Sequence, residues 1–264
     1  MSTVGIVGNG FVGNAVYQNL RDKVQCKVFD VDKNRCLNPL EEVINQDFIF
    51  VCLPTPMRNT GECDLSILDD FFENLPDNLI GTFVIKSTIP IGTTRKYTER
   101  HNVIHNPEFL TARNAVEDFA KAERNIVGGE KELCVDFIKF FDKCFPKIRS
   151  VFVSSDESEA IKYFSNTFLA YKVAYFNKVH DLCKAVGMNY NKVRHGITAD
   201  SRIGKSHTQV PGIDMDRGFG GTCLPKDINS LINQMESHGV NADILKAVWE
   251  YNLNIRTVFD WPVT

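Results

Sequence analysis

Cys223 sits in the stretch Arg217-Gly218-Phe219-Gly220-Gly221-Thr222-Cys223-Leu224-Pro225-Lys226-Asp227. Three glycines around one aromatic residue let the backbone take φ > 0 and come close to a ligand. Pro225 suits the first turn of a helix, and residues 228–238 read as that helix. The thiol should therefore lie just ahead of a helix N-terminus, with Lys226 nearby. Both features favour thiolate, the form that attacks carbon. Most cysteines are simply small buried hydrophobes. The glycines before Cys223, and the proline, lysine and aspartate after it, set this one apart.

A second pair is Lys162 and Asn166. They stand at i and i+4 in residues 156–186, which hold no proline or glycine and read as one long helix. Both side chains then share a face, and an amine beside an amide can stabilise an oxyanion. Spacing alone fits a solvated face better. Asp156 with Glu159 fits a capping box at the start of this helix. The helix also carries Phe164, Phe168, Leu169, Val173, Phe176 and Val179, more apolar surface than one small domain needs. An interface between subunits is therefore expected on it.

The third pattern opens the chain. An apolar run over residues 3–7 leads into Gly8-Asn9-Gly10-Phe11-Val12-Gly13, and a helix-like segment follows to Leu20. A second strand over residues 26–29 ends in Asp30. Gly8 makes the tight turn, Gly10 admits a pyrophosphate and Gly13 lets helix pack on strand, while the helix N-terminus faces the phosphates. Asp30 would take ribose hydroxyls, which favours NAD over NADP.

These residues need a scaffold that gathers them. Residues 47–53, 83–86 and 103–105 read as further buried strands. They lead into Pro54-Thr55-Pro56, Ser87-Thr88-Ile89-Pro90-Ile91-Gly92-Thr93 and Asn106-Pro107-Glu108-Phe109-Leu110. In a doubly wound α/β sheet such loops collect at the carboxyl edge, where ligands bind. Taken singly, Thr88 fits a turn hydroxyl and Glu108 a solvated acid as well as any functional role. A helix over residues 130–145 and a last strand over 148–153 complete the sheet. Two helices, over residues 228–238 and 242–259, end the chain, with Gly239-Val240-Asn241 between them.

Bulk properties narrow the class. The chain has 264 residues, 43% of them hydrophobic and 24% charged, as in a globular protein of one large or two modest domains. A net charge of −3 gives no reason to expect nucleic acid or an anionic membrane as partner. The longest apolar run, residues 48–53, is too short to span a bilayer, and no secretory leader is expected ahead of the strand at Thr3. Eight cysteines without a Cys-x-x-Cys pair argue against zinc and against a disulfide framework. A reducing compartment such as cytosol is expected. The six histidines show no pair at metal-ligand spacing, so no metal is assigned.

In combination and in order, these blocks resemble the UDP-glucose/GDP-mannose dehydrogenase family: Gly8 to Gly13, Pro54-Thr55-Pro56, the Ser87 and Asn106 stretches, Lys162 with Asn166, Asp200-Ser201-Arg202-Ile203-Gly204, and Gly220 to Asp227. The resemblance implies a Rossmann-type NAD-binding domain over residues 1–154 and an all-helical domain over 155–264. It implies oxidation of a nucleotide-sugar C6 alcohol to a carboxylate, UDP-glucose being the commonest substrate, with two NAD reduced. Cys223 would be the nucleophile, Lys162 and Asn166 the oxyanion partners. Asp227 and Thr88 would hold the catalytic water, and Glu108 would act as base. Gly8, Gly10, Phe11, Val12, Gly13, Asp30, Pro54, Thr55, Thr88 and Lys226 would contact NAD. Phe109, Leu110, Phe219 and Gly220 would line the sugar site, together with Glu108, Lys162, Asn166 and Cys223. Arg202 would reach the site of a neighbouring subunit, so a homodimer through the 156–186 helix is expected.

The pattern departs from the family in three places. A second glutamate often found four residues after Glu108 is Ala112 here. The loop over residues 210–217 is longer than usual. The family continues into a second Rossmann-like domain, whereas this sequence stops at Thr264. Nucleotide recognition is then reduced, remodelled or supplied by another subunit, or the sequence is a shortened form. Two alternatives stay open: a β-hydroxyacid dehydrogenase of the 6-phosphogluconate type, which needs no cysteine, and a non-catalytic NAD-binding homologue.

Overall fold

The computed structural model describes residues 2–261. They form two compact units. One holds the residues up to Thr55 together with Leu65–Lys162; the other holds Pro56–Asp64 and the described residues from Tyr163 onward.

The first unit is a seven-stranded sheet covered by helices. In chain order it runs β1 (Val4–Val7), α1 (Phe11–Leu20), β2 (Cys26–Phe29), α2 (Leu40–Val43), β3 (Phe48–Val51), α3 (Ser66–Glu73), β4 (Thr82–Ile85), α4 (Thr93–Tyr97), β5 (Val103–His105), α5 (Ala115–Ala120), β6 (Arg124–Gly129), α6 (Lys131–Cys144) and β7 (Arg149–Val153). The sheet order is β2-β1-β3-β4-β5-β6-β7. Every pairing is parallel except β5 with β6. Strands buried on both faces need continuous apolar runs, and Phe48-Ile49-Phe50-Val51 is wholly buried. Alternate side chains feed two cores. Val4, Ile6, Phe48 and Phe50 pack with Phe137 and Phe141 of α6 on one face. Val7, Ile49, Val51, Phe83 and Ile85 pack with Leu68 and Phe72 of α3 on the other.

The strand order reverses beside β1, so its loop and that of β3 open onto the crevice where doubly wound sheets bind ligands. The sequence reading misses β6, in which two apolar residues are followed by Gly128 and Gly129. Gly128 is required because a Cβ there would lie 2.4 Å from Ser158 Cβ and 2.5 Å from the Ser154 carbonyl.

One long helix, α7 (Ser155–Ala185), begins in the first unit and continues in the second. Its capping box is not Asp156 with Glu159. Ser154 and Glu157 make it: the Glu157 carboxylate accepts from Ser154 N at 2.7 Å, and Ser154 Oγ accepts from Glu157 N at 3.2 Å. Asp156 pairs with Arg95 at 3.0 Å, and Glu159 is buried.

The second unit adds α8 (Tyr190–Thr198), α9 (Leu224–Ser237) and α10 (Asp243–Ile255). Its core joins Ala170 and Ala174 of α7 to Phe219, Ile228, Ile232 and Val248. Helix α9 begins at Leu224, earlier than the sequence suggests. Helix α10 stops at Ile255, short of residue 259, because the Thr257 and Val258 amides turn to the Asp216 carboxylate at 2.9 Å each. Residues 56–64 form a tight turn in this unit, with Met57 bridged to Cys63 and Gly61 at φ +83°. The Thr60 carbonyl of that turn accepts from Asn233 Nδ2 of α9 at 3.3 Å.

Candidate active site

In the first unit, the β1–α1 turn has the form a dinucleotide needs. Gly8 has φ +87°, and a Cβ on it would meet the Cys52 carbonyl oxygen at 2.6 Å. A Cβ on Gly13 would meet the Gly8 carbonyl at 1.9 Å, whereas Gly10 faces open space. Gly10 is the N-cap of α1 and no side chain caps that end. The amides around Gly10, Phe11 and Val12 are thus left for a pyrophosphate. Asp30, at the end of β2, accepts from Asn9 N at 2.5 Å and Asp32 N at 2.8 Å, which fixes its carboxylate beside this turn. These residues fit NAD.

The neighbouring loops are pinned to one another. Thr55 Oγ1 donates to the Thr88 carbonyl at 2.9 Å, and Ser87 Oγ to the Leu53 carbonyl at 2.6 Å. Pro54, Thr55 and Thr88 are therefore held as one edge. After β5, Lys162 Nζ donates to the Glu108 carbonyl at 2.6 Å and to its carboxylate at 3.1 Å. Both side chains are almost fully buried. The other Glu108 oxygen accepts from Leu110 N at 2.6 Å, and Lys162 Nζ lies 5.3 Å from the centre of the Phe109 ring.

A second buried lysine stands close by in the chain. Lys86 Nζ donates to Asn106 Oδ1 at 2.8 Å, and Asn106 Nδ2 donates to Asn125 Oδ1 and to the Ile126 carbonyl. Burial pushes Lys86 down to about 8, although the Cys52 thiol and the Glu108 carboxylate pull the other way. His105, also buried, is pushed down to about 3 and is neutral. The sequence reading passed over Lys86. Its one signal is a lone cation ending a buried strand, where an apolar residue is the rule.

In the second unit, Cys223 is the N-cap of α9, half-buried, and Pro225 lies in the first turn. The Cys223 carbonyl accepts from Asp227 N at 2.9 Å, so the thiol and the Asp227 carboxylate are one turn apart on one helix. Asp227 is fully buried. Its Oδ1 accepts from Lys226 Nζ and its Oδ2 from Asn166 Nδ2, each at 2.6 Å. Burial works to lower Lys226, but the charge and hydrogen bond of Asp227, together with Cys63 and Cys223, hold the lysine above its ordinary range. Asn166 lies one turn after Lys162 on α7, as its spacing predicts.

The glycine stretch before Cys223 is held by residues that sequence reasoning missed. Asn252 Oδ1 accepts from Phe219 N at 2.7 Å, and its Nδ2 donates to the Phe219 carbonyl at 3.0 Å. The Phe219 ring itself is core, 6.3 Å from Trp249, and Asn252 already bonds both its N–H and its carbonyl. Arg256 Nη2 donates to Asp214 at 2.8 Å and to Asp260 at 3.0 Å, and Asp260 accepts from Gly221 N at 3.0 Å. A Cβ on Gly220 would strike Arg256 Nη2 at 1.9 Å. Burial would raise the Asp216 carboxyl, yet the Val258, Thr257 and Arg217 amides bring it down to about 2. The only sequence signal is Asn252 and Arg256 at i and i+4. Arg202 is exposed, and its guanidinium is held by Asp200 at 2.6 Å.

Among the described residues there is no His/Cys/Asp/Glu group that could hold a metal, and no helix long and apolar enough to cross a membrane.

Comparison with known proteins fits this geometry. Residues 37–143 match the NAD-binding domain of the UDP-glucose/GDP-mannose dehydrogenase family, and residues 156–254 match its central domain. The chain is 34% identical to UDP-glucose 6-dehydrogenase of Rickettsia conorii over 252 residues, covering 90% of this chain and 56% of that one. It is 30% identical to UDP-glucose 6-dehydrogenase TuaD of Bacillus subtilis over 298 residues, covering 96% and 63%. It thus spans between half and two thirds of these relatives. A UDP-glucose dehydrogenase structure from Pyrobaculum islandicum aligns with a TM-score of 0.84 at 28% identity, over 96% of this chain and 68% of that one. A 3-hydroxyisobutyrate dehydrogenase from Mycobacterium tuberculosis shares the fold alone, at 17% identity, TM-score 0.72, over 95% and 92%. With a dinucleotide turn in the first unit, a cysteine at a helix N-cap in the second, and both domains matched in order, the chain belongs to the UDP-glucose/GDP-mannose dehydrogenase family.

Proposed function

We propose that the protein oxidises the C6 alcohol of a nucleotide sugar to the carboxylate, removing four electrons, with UDP-glucose going to UDP-glucuronate. The observation that carries this reading is Cys223 at the N-cap of α9, one turn before an Asp227 carboxylate that binds both Asn166 and Lys226. The names of the relatives support UDP-glucose as substrate. Bound NAD, held by Gly8 to Gly13, Asp30, Pro54, Thr55 and Thr88, would supply the acceptor for each of two hydrides.

The chain's own residues do the rest. Loss of a hydride from C6 and of the proton from its hydroxyl oxygen leaves an aldehyde. The Cys223 thiolate adds to its carbon, forming a C–S bond and an alkoxide. Asn166 and Lys162 donate to that oxygen. Loss of the second hydride leaves a thioester. Thr88 and Asp227 hold a water, Glu108 takes one proton from it as it attacks, and the C–S bond breaks to give the Cys223 thiolate and a carboxylic acid, which loses its own proton to solvent. Lys226 pairs with Asp227 and sets a positive charge in the first turn of the helix that Cys223 caps. Phe109, Leu110 and the backbone at Phe219 and Gly220 border the sugar.

A homodimer is part of this reading. In the second unit, Phe164, Phe168, Tyr171, Tyr175 and Leu182 are exposed at helical spacing along α7, an apolar stripe interrupted by Lys178. Arg202, exposed on its loop, would then serve the partner's site.

The test is NADH formation with a panel of UDP- and GDP-sugars. Two NADH per UDP-glucose is the expected result. One NADH per substrate, or activity with a small hydroxyacid instead, overturns it.

A further inference from the structure

Glu159 of α7 is fully buried, and its carboxylate gathers three donors from one short segment. Oε2 accepts from Gly92 N at 2.5 Å; Oε1 accepts from Thr94 N at 2.7 Å and from Thr94 Oγ1 at 2.5 Å. That segment closes the loop over residues 87–92. The opening of the loop is fixed to the end of β3 by the Ser87 and Thr88 bonds to Leu53 and Thr55. Its middle is anchored by Ile89, which is fully buried. Its close is the Gly92 turn at φ +93°, with Thr93 Oγ1 bonded back to the Pro90 carbonyl at 2.6 Å. Glu159 thus holds the closing end through both of its carboxylate oxygens. One turn later on α7, Lys162 grips Glu108. Successive turns of one helix therefore set two loops at the carboxyl edge of the sheet.

We propose that Glu159 is a positioning residue for the reaction: by holding Gly92 and Thr94 it fixes where the loop presents Thr88, and so governs hydrolysis of the thioester. The inference rests on the functional reading above, in which Thr88 holds the attacking water. Burial raises the Glu159 carboxyl above the usual range, and the donors from Thr94 and Gly92 oppose that rise. An ionised carboxylate suits the site because all three neighbours donate. A glutamine has the same shape but only one acceptor oxygen, so its Nε2 would confront a backbone N–H.

The test is E159Q in the full chain, with two readouts. Amide exchange over residues 87–97 should quicken, while exchange in the β1 and β3 strands stays as in the wild type. With UDP-glucose and NAD, the first hydride transfer should change by less than about threefold. Hydrolysis should slow about 10–100-fold, less than for a donor that touches the oxyanion itself. Sugar-nucleotide adduct on Cys223 should then accumulate, visible by intact mass. Unchanged exchange overturns the latch whatever the chemistry. Faster exchange with wild-type turnover overturns its catalytic consequence, and equal loss of both oxidation steps reduces Glu159 to a structural residue. Wild-type protein that yields one NADH per sugar and no adduct overturns the functional reading instead, and exchange then still decides the latch.

Discussion

Lys162 Nζ makes two bonds to one residue, 2.6 Å to the Glu108 carbonyl and 3.1 Å to its carboxylate. A single ammonium thus fixes both the main chain and the side chain of the proposed base. Lys162→Met should leave a buried carboxylate whose remaining donor among the described residues is Leu110 N. A cost of about 3 kcal/mol in unfolding free energy is expected, together with loss of turnover. Urea unfolding and NADH assays check both; a variant as stable as the wild type would contradict the pairing.

Cys223→Ser leaves the Gly8 to Gly13 turn untouched, so NAD should bind with wild-type affinity. Turnover should fall by several orders of magnitude, because an alcohol is a weaker nucleophile and a poorer leaving group than thiolate. Asn166→Ala removes one of the proposed oxyanion donors and should cost about 10²–10³ in rate, less than the loss at Cys223. Calorimetric NAD titration with single-turnover kinetics measures both. Near wild-type yield of two NADH per sugar in C223S sinks the covalent mechanism.

Lys86 sets a pH dependence of stability. Burial holds it at about 8 in the folded protein, against 10.5 for an ordinary lysine. Between these limits the unfolded chain keeps a proton that the folded chain has lost, so Lys86 makes stability rise with pH. The slope approaches about 1.4 kcal/mol per pH unit. Below the window the buried ammonium opposes folding. Lys86→Met should lack this rise, so the difference, wild type minus variant, should grow with pH across the window. A constant difference would show that Lys86 does not titrate there.

Asp30 should exclude NADP. Its carboxylate is fixed by Asn9 N and Asp32 N and cannot easily swing away from a 2′-phosphate. NAD should bind at least about tenfold more tightly, a gap of about 1.4 kcal/mol, and Asp30→Ala should narrow it. Equal affinities in the wild type would refute this.

Phe168 is the most exposed aromatic of the α7 stripe, at 65%. Phe168→Glu should shift sedimentation toward monomer and reduce activity on dilution. A wild-type protein that sediments as a fully active monomer removes the basis for a shared site.

The sheet was legible because a strand buried on both faces must be an unbroken apolar run, as in Phe48-Ile49-Phe50-Val51. Strand β6 was not, because its glycines serve close packing against Ser154 and Ser158 rather than strand propensity. The family assignment and the NAD-binding domain followed from ordered blocks, and the matches at residues 37–143 and 156–254 agree. Position along a helix gave Lys162 with Asn166, while Asp227 beside Cys223 came from the resemblance. Position could not give the partners, since Asn166 to Asp227 and Asn252 to Phe219 are contacts between distant segments. Glu159 shows how local logic misleads: three residues after Asp156 it mimics a cap, yet it binds Gly92 and Thr94 far back in the chain.

Residues 56–64 leave the sheet after β3, fold into the unit that carries Cys223, and return to begin α3. The polypeptide therefore passes between the units at three peptide bonds, not one. A gene cut at residue 163 would yield a downstream fragment without Met57 and Cys63, two side chains buried in that same unit. Such a fragment should need the 56–64 peptide added back in trans to regain its fold. A protease nick in that turn should likewise damage the cysteine unit, although the scissile bond lies far upstream of it.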